Sequence, residues 1–137
     1  MPEQLQIENL TKRFGTVVAN DQVKFNVLRG EIHCLFGENG AGKSTLAECI
    51  YGTYRPESGT IFFDGEAVEF NSPRDAIQLG IGMIHQHFVL VPPLTVLENI
   101  IVGTKDAKVL LNIQKAENKF KDLCARYELN LNGHAAI

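Results

Sequence analysis

Between Ile32 and Ile50 the chain runs from a short apolar block into a glycine-rich loop and then into a helical pattern. The loop is Gly37-Glu38-Asn39-Gly40-Ala41-Gly42-Lys43-Ser44-Thr45, which fits G-x-x-x-x-G-K-S/T. Its flanks suit that pattern. Ile32-His33-Cys34-Leu35-Phe36 predicts a buried strand, and Ser44-Thr45-Leu46-Ala47-Glu48-Cys49-Ile50 predicts the first turns of a helix reaching about Tyr51. The spacing has a physical reason. Glycines let the backbone wrap an anion with successive N–H groups turned inward, and the helix N-terminus adds its positive dipole end. In that arrangement Lys43 reaches β- and γ-phosphates, and the Ser44 hydroxyl can hold a Mg²⁺ ion. A glycine turn with a solvated lysine is the bland alternative.

Composition bounds the rest. The chain has 137 residues, 45% hydrophobic and 21% charged, as expected of a globular domain with a core of its own. A net charge of −3 and a pI near 5.8 argue against a nucleic-acid-binding surface. The sequence has no apolar run long enough to span a membrane, and Met1-Pro2-Glu3-Gln4 lacks a signal-peptide profile. Cys34, Cys49 and Cys124 lie in apolar patterns, which predicts buried free thiols in a reducing cytoplasm.

Along the chain, Leu5–Leu10 and Val23–Val27 alternate as half-buried strands do, joined by a loop from Lys12 to Asn20. Thr60–Phe63 predicts a further strand, with Asp64-Gly65 as its hairpin turn and Val68–Phe70 returning. Ser72-Pro73 opens a short helix that Gly80 closes, and Ile81–Ile84 predicts a second buried strand. Thr95-x-x-Glu98 forms a capping box for a helix through about Ile101. Helical spacing of Ile113, Ala116, Phe120, Leu123, Cys124 and Tyr127 predicts an amphipathic helix, capped by Asn112 and ending near Glu128. The segment from Asn130 to Ile137 is expected to be a loop. His85-x-His87 offers two imidazoles, too few for a metal site.

Three features together resemble the nucleotide-binding subunit of an ABC transporter. They are the phosphate loop, Phe14 upstream in Leu10-Thr11-Lys12-Arg13-Phe14-Gly15, and Gln86 after Ile81-Gly82-Met83-Ile84-His85. The resemblance makes Phe14 the aromatic that stacks on adenine, where a core phenylalanine is the alternative. It makes Gln86 the glutamine that touches Mg²⁺ and the attacking water, where a polar strand cap is the alternative. Lys43 and Gln86 would then be the catalytic residues. Phe14 and Gly37 to Thr45 would bind ATP, and Ser44 and Gln86 would bind Mg²⁺. The stretch from His87 to Ile100 is similar to ATPases of nucleoside and simple-sugar importers.

That resemblance implies a P-loop NTPase fold of the α/β class and ABC ATPase type, as the N-terminal part of one nucleotide-binding domain over 1–137. Residues 1–31 and 57–71 would form an antiparallel β subdomain. Residues 32–56 and 72–86 would form the P-loop core, and 87–137 part of a helical subdomain. Implied partners are a membrane-spanning permease, docking around Phe88–Ile100, where core packing of a proline-punctuated apolar loop is the alternative, and a second nucleotide-binding domain, with no nucleic acid. The implied location is peripheral, on the cytoplasmic face of the membrane.

The family also uses a signature loop resembling LSGGQ, an apolar strand ending in Asp-Glu, and a switch histidine. None of these is legible after Gln86, and the chain ends about where the signature loop is expected. The expectation is therefore a truncated domain that binds ATP without efficient hydrolysis. An inert nucleotide-binding or assembly module is the alternative. A small nucleotide kinase fits less well, because Arg13, Arg29, Arg55, Arg74 and Arg126 are scattered.

Overall fold

The computed structural model describes residues 3–86, 90–102 and 113–137, and the chain divides into two compact units, Met1–Ile84 and His85–Ile137. The first unit is built on a four-stranded antiparallel sheet. Strands β1 (Glu3–Phe14), β2 (Val17–Leu28), β3 (Ser58–Phe63) and β4 (Glu66–Val68) lie in the order β2-β1-β3-β4. Helix α1 (Lys43–Tyr51) buries Leu46 and Cys49, one turn apart, and α2 (Pro73–Gln78) buries Ala76. These join Ile7, Leu10, Ile61 and Phe70 in one core.

Simple alternation does not explain why both Ile7 and Leu10 are buried, since an odd spacing places residues on opposite faces. The backbone resolves this at Asn9, whose φ of 52° accompanies a register shift between Ile7 and Leu10 against β2. That bulge resets the phase and returns Leu10 to the core side. Gly59 of β3 fits against it so closely that a Cβ there would lie 2.5 Å from the Leu10 Cα.

The β1–β2 connection is tighter than the loop expected over Lys12–Asn20. Phe14 pairs with Val17, leaving only Gly15 and Thr16 as the turn. Cross-strand pairing carries both strands through polar residues that give no local strand signal. The Asp64-Gly65 turn has φ of 50° and 84°, as a type I′ hairpin requires. The returning strand, β4, is as long as expected but lies two residues earlier, at Glu66–Val68 rather than Val68–Phe70, and Phe70 beyond it is buried.

Two expected strands do not form. Residues 32–36 and 81–84 have no ladder partner among the described residues, and Ile32, Phe36 and Ile84 are 98%, 99% and 98% exposed. Apolar character says what a segment would bury once covered, whereas a strand also needs a neighbour for its amides and carbonyls. The 32–36 segment is tethered by side chains instead. His33 stacks on Phe25 at 5.4 Å and sits 3.1 Å from Glu31. Cys34 is accordingly exposed, contrary to expectation. Cys49 is buried, its thiol pushed up to about 11 chiefly by burial, and Cys124 is half-buried.

In the second unit, α3 (Val96–Ile101) and α4 (Ile113–Arg126) pack through Leu97, Ile101 and Phe120, with Ala116 and Cys124 adjoining on the α4 face. Asn112, expected to cap α4, lies outside the described residues. The C-terminal segment is more than a loop. Its Gly133 and Ala135 carbonyls accept from the Leu97 and Val96 N–H groups at 2.8 and 3.0 Å, and Ala136 bridges Thr95. Among the described residues no helix is long and apolar enough to cross a membrane.

Candidate functional site

The phosphate-loop pattern occupies an exposed turn leading into α1. Gly40 and Gly42 take left-handed φ of 86° and 81°. Gly42 is the N-cap, and its carbonyl accepts from the Leu46 N–H at 2.9 Å to start the helix. No side chain caps this N-terminus, and no acidic residue stands in its first turn. The positive end of α1 is therefore open toward Lys43, Ser44 and Thr45, the arrangement that favours an anion. Helix α3 is the contrast, because Thr95 Oγ1 and the carbonyls of Gly133 and Ala135 close its first turn.

Lys43 folds back across the loop and donates from Nζ to the Gly37 and Glu38 carbonyls, both at 2.7 Å. The loop tightens again where the Ala41 N–H donates to the Glu38 carbonyl at 3.2 Å. The result is one cation, held by neutral groups, at a loop of glycines and a helix N-terminus. Asn39 and Ser44 are exposed, and Thr45 is half-buried. The other end of α1 closes on Gly52 (φ 83°), with N–H bonds from Gly52 to Cys49 O and from Thr53 to Glu48 O, a Schellman closure.

The same unit holds Phe14, the last residue of β1, 45% exposed at the hairpin tip. Its ring meets Tyr54 edge-on at 5.1 Å and 79°, and the Lys12 ammonium lies 5.2 Å from its centroid. Gln86 belongs to the second unit and is exposed. In the stretch Phe88–Ile100, Phe88 and Val89 lie outside the described residues. Leu90 and Val91 are exposed, and Asn99 pins the turn by donating to the Val91, Leu94 and Thr95 carbonyls and accepting from the Val91 N–H. His87 is also undescribed. No cluster of three or more potential metal-ligating His, Cys, Asp or Glu residues occurs among the described residues.

Two features escaped sequence reasoning. Asn20 on β2, only 6% exposed, donates from Nδ2 to the Gly42 carbonyl at 3.2 Å and so braces the loop from the sheet. Tyr54, with the nearby Glu57, supports the end of β1. Both are contacts between segments remote in sequence, and no local pattern announces them.

The comparisons with known proteins fit this geometry. A family model described as ABC transporter matches residues 20–135. The guanosine import ATP-binding protein NupO of Bacillus subtilis is 46% identical over 132 residues, covering 96% of this chain and 26% of that protein. The nucleoside import ATP-binding protein NupA of Lactococcus lactis is 46% identical over 134 residues, again covering 26% of its length. The chain thus spans about a quarter of these curated relatives. Among solved structures, a nucleotide-free ATP-binding cassette of an ABC transporter superposes with a TM-score of 0.78 at 28% identity, over 93% of this chain and 55% of that one. The ADP conformation of MJ1267, another such cassette, also gives 0.78 at 28% identity, over 94% and 55%. Its fold is that of the N-terminal half of an ATP-binding cassette, and the chain belongs to the ABC transporter family.

Proposed function

We propose that this chain is the ATP-binding portion of an energy-coupling ATPase subunit of an importer for nucleosides or simple sugars. The observation that carries the reading is the uncapped N-terminus of α1 with Lys43 Nζ held across the glycine loop by the Gly37 and Glu38 carbonyls. An arriving phosphate offers the ammonium a charged acceptor in place of two neutral carbonyls, and charge-assisted bonds are the stronger kind. The loop from Gly37 to Thr45 would hold the phosphates, and Phe14 would stack on the base. The resemblance assigns a Mg²⁺ ion to Ser44, which is exposed, and gives Gln86 the role of a neutral ligand and water-orienting group. When bound, such an ion would supply positive charge that offsets the charge on the phosphates. The names of the relatives, which import guanosine, other nucleosides or sugars, support the solute class.

In this reading 1–31 and 57–71 are the antiparallel β subdomain, 32–56 and 72–86 the P-loop core, and 87–137 part of the helical subdomain. The permease would dock around Phe88–Ile100, a second nucleotide-binding domain would complete the unit, and the assembly would sit on the cytoplasmic face of the membrane. Phosphoryl transfer depends on positioning and electrostatics, and neither a metal-binding Asp nor a catalytic Glu is legible after Gln86. The 137 residues alone are therefore proposed to bind ATP without turning it over efficiently.

Titration with a fluorescent ATP analogue tests the binding. Lys43→Ala is expected to weaken it ~10- to 100-fold, the worth of a hydrogen bond to a charged group. Unchanged affinity would remove the proposed site. Magnesium-dependent phosphate release that Lys43→Ala abolishes would overturn the inactive reading while leaving the site intact.

A further inference from the structure

We propose that Tyr54 and Glu57 are positioning residues of the base-binding site, acting through Phe14. The inference rests on the reading of Phe14 as the ring that stacks on adenine. It goes beyond that reading by identifying what holds the ring.

Phe14 stands at a hairpin tip, directly before Gly15, where a strand end is prone to fray. Segment 54–57 stitches that end down. The Glu57 N–H donates to the Thr11 carbonyl at 2.9 Å. Lys12 Nζ donates to the Arg55 carbonyl at 2.9 Å and to Glu57 Oε1 at 3.0 Å. The backbone N–H of Arg13, the residue before Phe14, donates to Glu57 Oε2 at 2.6 Å. One carboxylate thus grips both residues preceding the aromatic. Lys12, held there, places its ammonium 5.2 Å from the Phe14 ring centre. Tyr54 completes the support. Its edge contact at 79° fixes the plane of the Phe14 ring without stacking flat on it, and Phe14 stays 45% exposed.

A ring already held in place loses less freedom when a base stacks on it, so the bracing converts into affinity for the base alone. The bracing segment begins just after the C-terminal closure of α1, whose other end carries the phosphate loop. One helix and its exit loop therefore serve both ends of a nucleotide.

The test measures affinities of the full chain for ATP and for inorganic tripolyphosphate by calorimetry. Tripolyphosphate engages the phosphate loop but offers no base. Tyr54→Ala and Glu57→Ala are each expected to weaken ATP ~3- to 10-fold and leave tripolyphosphate unchanged, since an aromatic pair or a hydrogen bond contributes about that factor. Tyr54→Phe keeps the ring and is expected to restore the ATP preference. Equal weakening of both ligands, or of neither, in both alanine variants overturns the proposal and leaves ATP binding standing. If the unsubstituted chain binds ATP no more tightly than tripolyphosphate, the stacking role of Phe14 fails and the proposal with it.

Discussion

Glycines 40 and 42 stand in the same loop with nearly the same φ, 86° and 81°, yet their surroundings differ completely. A Cβ on Gly40 meets nothing within 4 Å, whereas one on Gly42 would lie 2.1 Å from the Ala19 carbonyl oxygen and 2.7 Å from Asn20 Nδ2. Gly40→Ala should therefore cost only the left-handed penalty of ~1–2 kcal/mol. Gly42→Ala adds overpacking against a backbone atom that cannot rotate away, about 1–3 kcal/mol more. Urea unfolding followed by circular dichroism checks this, and equal midpoints for the two variants would contradict it. The loop motif made both glycines legible in the sequence. The contact that separates them comes from β2, at a position whose local sequence predicts a loop, and no spacing rule reports it.

At the scale of elements, the caps decide which helix ends are closed and which stay open to a ligand. Glu98 of the α3 capping box accepts from the Thr95 N–H at 2.7 Å and from its hydroxyl at 2.8 Å. These bonds, the backbone one first, hold its carboxyl below the ordinary 4.5. A carboxyl whose pKa is depressed by folding contributes stability that is fully present above 4.5 and is lost as pH falls through the folded value. Protection of the Val96–Ile101 amides, taken relative to the intrinsic exchange rate at each pH, should therefore fall as the pH drops below 4.5. Glu98→Gln should flatten that dependence, and an unchanged profile in the variant would remove Glu98 as its cause. The box was legible because every partner lies within one turn, as were the start of α2 at Ser72-Pro73 and the face of α4 through Ala116, Phe120 and Cys124. The segments 32–36 and 81–84 depart from their sequence expectation for the opposite reason. Their apolar content is local, but a strand exists only with its neighbour, and none pairs with them among the described residues.

For the molecule as a whole, that difference becomes a question of association. The first unit exposes Ile32, Phe36 and Ile84 almost completely, on backbone without a ladder partner among the described residues, and its sheet packs on α1. Apolar side chains on unpaired backbone are a template for another chain, because both the side chains and the peptide groups gain a partner on contact. Charge opposes this only weakly at a net −3. Light scattering across the micromolar to millimolar range is expected to show apparent mass rising with concentration. Phe36→Ser combined with Ile84→Ser should suppress the rise by removing the apolar drive while leaving the core residues Leu46, Cys49 and Ile61 untouched. Substituting Val17 and Val18, exposed on a strand already paired to β1, should not suppress it. A strictly monomeric mass at every concentration would mean that these segments bury themselves in solution, and the exposure of Ile32, Phe36 and Ile84 would no longer describe the chain.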